Sequence, residues 1–263
     1  MLDLTISLIQ TDLYWEEIEA NLSMFEEKIW QIEDNIDLIV LPEMFTTGFS
    51  MNAEKMAEPV GGKTFKWLRK MAAQKKSALI GSYIIKEGSN YFNRLYMVFP
   101  DGSSEYYDKR HTFNLAGEGD KYSSGSRRLI VDYKGWKICP MICYDLRFPV
   151  WARSRKIDDQ LHEYDLLLYV ANWPDTRINA WDALLKSRAI ENHAYCVGVN
   201  RVGKDAFPKE YPGHSAVYSF SGEEMTISRD EEQILTVTLS SNDLDSYRNQ
   251  FPFQEDGDEF QIQ

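Results

Sequence analysis

Apolar residues along the chain recur with two different periods, and the period switches many times. Residues 4–9 (LTISLI) read as a buried strand. Asp12 is placed to cap a following helix, its side-chain oxygen meeting free N–H groups. Ile18, Leu22, Phe25, Ile29 and Ile32 then recur at helical spacing, with Glu and Lys on the other face. Ile36–Leu41 is too short for a helix and ends at Pro42, which predicts a second buried strand with Glu43 at its exit. Phe65, Leu68 and Ala72 predict a helix over 64–76, and Ala78–Ile85 another strand.

Arg94–Phe99 and Ser103–Asp108 flank Pro100-Asp101-Gly102, a strong hairpin signal. Residues 128–133 and 136–142 form a second hairpin around Lys134-Gly135. Asp165–Ala171 is a nearly continuous apolar strand, Ala180–Asn192 a helix and Tyr195–Asn200 a strand, with further strands at 215–220 and 234–239 around Gly222. Helices alternating with apolar strands, plus several hairpins, give an α/β pattern with mixed sheets covered by helices. Neither a Pro-, Gly- or Ser-rich linker nor a short internal repeat interrupts it.

Composition narrows the function classes. The chain of 263 residues is 43% hydrophobic and 13% aromatic, enough for a sizeable core. Its net charge of -12 repels phosphate backbones and anionic lipid, which disfavours nucleic-acid and membrane-surface roles. An anionic substrate would then need specific cations of its own. The N-terminal residues show no signal-peptide pattern, and no apolar run is long enough to span a membrane. Three Cys without paired spacing argue for a reducing compartment, hence the cytoplasm. The four His form no cluster with metal-ligand spacing, so no metal or cofactor is expected. The last ten residues are acidic and read as a solvated tail or as an arm docking on a partner subunit.

Cys143 stands out by position. It ends the strand WKICPMI and precedes a turn containing Pro149. A rigid strand end followed by a helix whose first N–H groups point back stabilises a thiolate and a developing oxyanion. A buried structural Cys is the competing reading, and Cys139 and Cys196 both read that way. Glu43, leaving a strand into apolar surroundings, suits a general base, or is a loop carboxylate. Lys109 follows the 103–108 strand and could equally be a surface cation. Glu118 sits in a Gly-rich loop. A different assembly uses His111 as the base for Cys143, oriented by Asp145 or Asp108.

Taken together these positions resemble the nitrilase superfamily of carbon–nitrogen hydrolases over roughly residues 4 to 240. LIVLPEMFTTGF (38–49) resembles the segment bearing the family's catalytic Glu, YDKRHTF (107–113) the segment bearing its Lys, and ICYDLRFP (142–149) the segment bearing its Cys. The family's second Glu lies seven residues ahead of a Gly, as Glu118 does ahead of Gly125. ANWPDTR (171–177), SRAIEN (187–192) and GVNRVG (198–203) look most like the omega-amidases. Thr112 departs from the pattern, which usually carries an apolar residue there.

The resemblance implies a four-layer α-β-β-α sandwich of two mixed six-stranded sheets. It implies one domain over 1–240, and 241–263 is then a C-terminal acidic extension. It implies a catalytic set of Cys143, Glu43, Lys109 and Glu118, and release of ammonia from the terminal amide of a small 2-oxo acid through a Cys thioester. The backbone N–H of Tyr144 would serve the oxyanion. Tyr144, Trp173 and Arg177 are candidates to bind substrate, while Arg147 and Arg188 read as structural. Members commonly pair through helices near the Cys, so a homodimer or larger homo-oligomer is expected. N-carbamoyl amines and nitriles are alternative substrates for the same residues, and a binding protein on an inactive fold is the non-enzymatic alternative.

Overall fold

Side chains alternate across a strand, so each strand of a buried sheet must satisfy two neighbours at once. In the computed structural model, which describes residues 2–156, 161–207 and 209–261, the first half of the chain does this clearly. It runs β1 (Leu4–Gln10), α1 (Ile18–Gln31), β2 (Leu38–Val40), α2 (Ala53–Met56), β3 (Glu58–Pro59), α3 (Lys63–Lys75), β4 (Ala78–Glu87), β5 (Asn90–Val98) and β6 (Ser104–Asp108). The second half runs β7 (Val131–Tyr133), β8 (Trp136–Ile142), α4 (Pro149–Ala152), β9 (Leu166–Val170), α5 (Ile178–Asn192) and β10 (Tyr195–Val199). It finishes with β11 (Val202–Lys204), β12 (Glu210–Tyr218), β13 (Glu224–Arg229), β14 (Gln233–Leu239) and α6 (Ser241–Gln250).

Two sheets result, each the expected six-strand run with a seventh strand added. The first has the order β14-β1-β2-β4-β5-β6, with β3 beside β4. The second has the order β11-β12-β10-β9-β8-β7, with β13 beside β12. Leu4, Ile6 and Leu8 of β1, Leu38 and Val40 of β2, and Ala78 and Ile80 of β4 pack in one core with Ile138, Leu166 and Leu168 of the second sheet. The alternate residues Ile9, Ile39 and Leu79 pack instead with Leu22, Phe25 and Ile29 of α1 and Leu68 and Met71 of α3. On the second sheet α5 takes the same place. Gly198 lets it approach, since a Cβ there would lie 2.4 Å from Leu185 and 2.6 Å from Trp181. This is the α-β-β-α order that the resemblance implies.

Several local expectations differ. Asp12 does not cap α1, whose N-terminal residue Glu17 makes no side-chain cap bond. Asp12 binds the Leu13 N–H at 2.8 Å and pairs with Arg201. Buried Asn21 fixes the entry instead, accepting from the Tyr14 N–H at 2.9 Å and donating to the Tyr14 carbonyl at 2.7 Å. Gly222 turns β12 into β13, while β14 crosses to the other sheet and pairs antiparallel with β1 from Leu4↔Leu239 to Gln10↔Gln233.

Residues beyond 240 begin with α6, capped by the Ser240 hydroxyl. Arg248 of α6 pairs with Asp165 at 2.6 Å, and buried Gln254 donates to the Ser154 carbonyl at 2.7 Å. Residues 262 and 263 of the predicted extension lie outside the described residues. Among the described residues no helix is long and apolar enough to cross a membrane.

Candidate active site

Parallel strands end on the same edge of a sheet, and that edge is where a site can be assembled from residues distant in sequence. Here β1, β2 and β4 are parallel, as are β8, β9 and β10. Glu43 follows β2, Cys143 follows β8 and Asn172 follows β9. β6 runs antiparallel to β5, which is itself antiparallel to β4, so Lys109 leaves β6 in the same direction. The sandwich brings the two edges face to face.

Lys109 is the hub. Its Nζ lies 2.9 Å from Glu43 Oε1 and 2.9 and 3.0 Å from the two oxygens of Glu118. All three side chains are essentially without solvent contact. Gly125 is needed for this packing. It donates to the Lys109 carbonyl at 2.8 Å, and a Cβ there would lie 2.1 Å from the Asp108 carbonyl oxygen. Glu43 is held from three more directions. Asn93 Nδ2 reaches its Oε1 at 2.8 Å, and the Asn172 backbone N–H reaches Oε2 at 2.9 Å. Asn172 Nδ2 donates to the Glu43 carbonyl at 2.7 Å. Cys143 opens the turn Cys143–Arg147 at φ +45°, a backbone conformation that costs a non-glycine residue about 1–2 kcal/mol. Its thiol feels the charges of Glu43, Lys109 and Glu118 and takes a bond from the Asn172 backbone.

The four predicted catalytic residues therefore meet. A family model described as carbon-nitrogen hydrolase matches residues 5–249. The chain belongs to the carbon-nitrogen hydrolase family. It is 42% identical over 261 residues to the omega-amidase YafV of Yersinia enterocolitica, covering 99% of both chains. It is 29% identical over 255 residues to a 2-oxoglutaramate amidase of Bacillus subtilis, covering 96% of both. It also superposes on the crystal structure of XC1258 from Xanthomonas campestris, a CN-hydrolase superfamily protein with an arsenic adduct in its active site. There the TM-score is 0.98, with 42% identity and full coverage of both chains.

The charges in this hydrolase are balanced tightly. Burial alone would push the Lys109 ammonium down, but Glu118 and Glu43 override it and hold its pKa above that of an ordinary Lys. Burial, opposed by Lys109 and reinforced by Glu43, raises the Glu118 carboxyl. Burial and then Glu43 also raise the Cys143 thiol well above its usual range, against the pull of Lys109 and the Asn172 N–H. The expected stabilisation of a thiolate by the backbone after Cys143 is thus opposed by burial and by Glu43. Cys143 opens a five-residue 3-10 turn followed by the four-residue α4, whose short backbone offers little dipole to set against the burial.

A cavity opens over Cys143, lined among others by Tyr144, Trp173, Asn172, Arg177, Arg147 and Lys209. The predicted trio Tyr144, Trp173 and Arg177 is thus in place. Arg147 is a correction: its guanidinium lies over the Trp173 ring at 4.9 Å and faces the cavity, because the turn carries it round from Cys143. Arg188 is structural, donating to the Leu146 carbonyl at 2.7 Å. His111 binds Asp145 at 2.8 Å through Nδ1 and stacks on Phe148 at 3.8 Å, and it is not among the residues that line the cavity. Sequence reasoning missed Asn93, Asn172, Arg147 and Lys209. Asn172 had a signal, since it ends a strand on the same edge as Cys143. Asn93 had none.

Proposed function

We propose that this carbon-nitrogen hydrolase is an omega-amidase, releasing ammonia from the terminal carboxamide of a small 2-oxo acid such as 2-oxoglutaramate or 2-oxosuccinamate. The observation that carries the reading is the Lys109 Nζ held between the Glu43 and Glu118 carboxyl groups beside the Cys143 thiol, at a cavity lined by Arg147, Arg177 and Lys209.

Glu43 accepts the thiol proton as Cys143 Sγ attacks the amide carbon, so no free thiolate need accumulate. The Lys109 ammonium and the Tyr144 N–H meet the negative charge that develops on oxygen, and a preset donor of this kind contributes about 3–4 kcal/mol. Glu43 passes its proton to nitrogen, the C–N bond breaks and ammonia leaves a thioester. Water, deprotonated by Glu43, cleaves the thioester to give the carboxylate and restore the thiol. Glu118 holds Lys109. The rim cations, Arg177 foremost, bind the substrate's own carboxylate, which an acidic protein would otherwise repel. Tyr144 and Trp173 wall the bound chain.

We also place the enzyme in the cytoplasm as a homodimer. Its three cysteines are free, and Val150 of α4, the helix that directly follows the Cys143 turn, exposes apolar surface. Sedimentation at micromolar concentration tests the dimer. The activity is tested by ammonia release from 2-oxo acid amides, N-carbamoyl amines and nitriles. The 2-oxo acid amides are expected to turn over fastest, and Cys143→Ala to abolish release. Preference for a carbamoyl amine or a nitrile, or hydrolysis retained by purified Cys143→Ala, would overturn the reading.

A further inference from the structure

Beneath the Cys143 turn lies a carboxylate that plays no part in the proposed catalytic steps. Asp145 is completely buried, and four donors converge on it. One oxygen takes the Tyr107 hydroxyl at 2.8 Å and the Ile142 backbone N–H at 3.1 Å. The other takes the His111 backbone N–H at 2.9 Å and His111 Nδ1 at 2.8 Å. An ionised carboxylate accepts about four hydrogen bonds and donates none, so this site is filled. Tyr107 must donate, since burial and then the Asp145 charge raise its hydroxyl well above the usual range. That hydroxyl accepts in turn from Trp151 Nε1 at 3.0 Å and from the Arg110 N–H at 3.2 Å.

The donors come from two stretches of chain. Ile142 and Asp145 bracket Cys143. Tyr107 and His111 bracket Lys109, two residues before it and two after. These stretches follow strands of different sheets, so the contacts made across the two sheets set their spacing. We infer that Asp145 is a positioning residue, fixing the separation of the Cys143 thiol from the Lys109 ammonium by fastening both segments to one carboxylate. The inference rests on the proposed roles of Cys143 and Lys109. It also gives His111 a purpose other than that of a base: its ring supplies an N–H to Asp145 and stays in place by stacking on Phe148.

Three variants test this, each assayed for ammonia release and for alkylation of Cys143 by iodoacetamide across pH. Asp145→Asn turns one accepting oxygen into an N–H2 group facing two donors. It is expected to lower kcat about a hundredfold with KM held within about twofold, the signature of a displaced reacting group. His111→Leu removes one donor and is expected to lower kcat about tenfold. His111→Asn keeps a donor where Nδ1 stands but has no imidazole, and recovers most of that loss. The alkylation midpoint moves in Asp145→Asn and His111→Leu, because Glu43 and Lys109 oppose each other at the sulfur and a changed spacing alters their balance. It stays in place in His111→Asn.

Should Asp145→Asn fail to fold, the His111 pair decides. His111→Asn as inactive as His111→Leu would overturn the inference, since the imidazole itself would then be needed. So would Asp145→Asn molecules that lose activity only in proportion to their folded fraction, with the alkylation profile unmoved. An incorrect substrate reading shows itself separately, as a wild-type enzyme inactive on the 2-oxo acid amides whose Cys143 still alkylates.

Discussion

The turn after β2 and the turn after β8 are built alike and used differently. Each comes after a parallel strand, and each contains a residue at φ +45°, Met44 in one and Cys143 in the other. In the first turn the reactive group itself is gripped. Glu43 receives Asn93, Asn172 and Lys109 directly on its carboxylate. In the second the grip is on the backbone and on Asp145, two residues away, while the cavity opens over the sulfur. A base that moves a proton back and forth keeps its place through the cycle and can be bonded throughout. A nucleophile must form and lose a bond to carbon, so it is held from behind.

The comparison is broken most directly at Glu43. Glu43→Gln preserves size but cannot take a proton, and kcat is expected to fall about a thousandfold, within the range for losing a general base. The thiol responds in the opposite sense. Glu43 raises the Cys143 pKa and Lys109 lowers it, so without the Glu43 charge the thiol becomes more acidic. Alkylation by iodoacetamide at neutral pH should therefore speed up while turnover falls. Turnover near the wild-type rate in this variant would show that Glu43 is an anchor and not the base.

A smaller effect is expected at Asn93. Its Nδ2 donates to Glu43 at 2.8 Å and to Glu118 at 3.4 Å. Asn93→Ala removes a bond to a charged group, typically about 1.5–3 kcal/mol, so kcat should fall about tenfold to a hundredfold. The alkylation profile should shift toward that of Glu43→Gln only as far as Glu43 moves. A loss confined to KM would place Asn93 among substrate contacts instead.

These two residues also mark what is readable from the chain alone. Glu43 is legible because an apolar run ending at Pro42 predicts a strand exit, and the motif around it carries family likeness. Asn93 is not. It sits in the Asn90–Asn93 half of β5, which the hydrophobic pattern omits by starting the strand at Arg94. The same cause hides the long β4–β5 pairing, whose register extends to Glu87↔Asn90. The partner of β14 is hidden by distance: its pairing with β1 joins the two ends of the chain, and local periodicity is blind to it. Arg147 escapes the pattern because a residue four places beyond Cys143 reads as helix, whereas a tight 3-10 turn carries it to the cavity.

The smallest effect sharpens the Cys143 side of the comparison through stability. The folded chain raises the thiol pKa well above 9.0, so it binds that proton more tightly than the unfolded chain does. Below pH 9 the thiol is neutral in both states and nothing is lost. As pH rises past 9 the unfolded thiol ionises first, and stability falls until the folded pKa is reached. One thiol contributes at most about 1.4 kcal/mol per pH unit in that window. Cys139, raised to about 12, and Cys196, raised further, act in the same direction. Their share is common to wild type and Cys143→Ala. Melting temperatures measured from pH 7 to pH 10 should therefore decline less steeply in Cys143→Ala, the difference appearing only above pH 9. Parallel declines would mean that the Cys143 thiolate is accommodated in the fold, and that Lys109 outweighs burial and Glu43 at the sulfur.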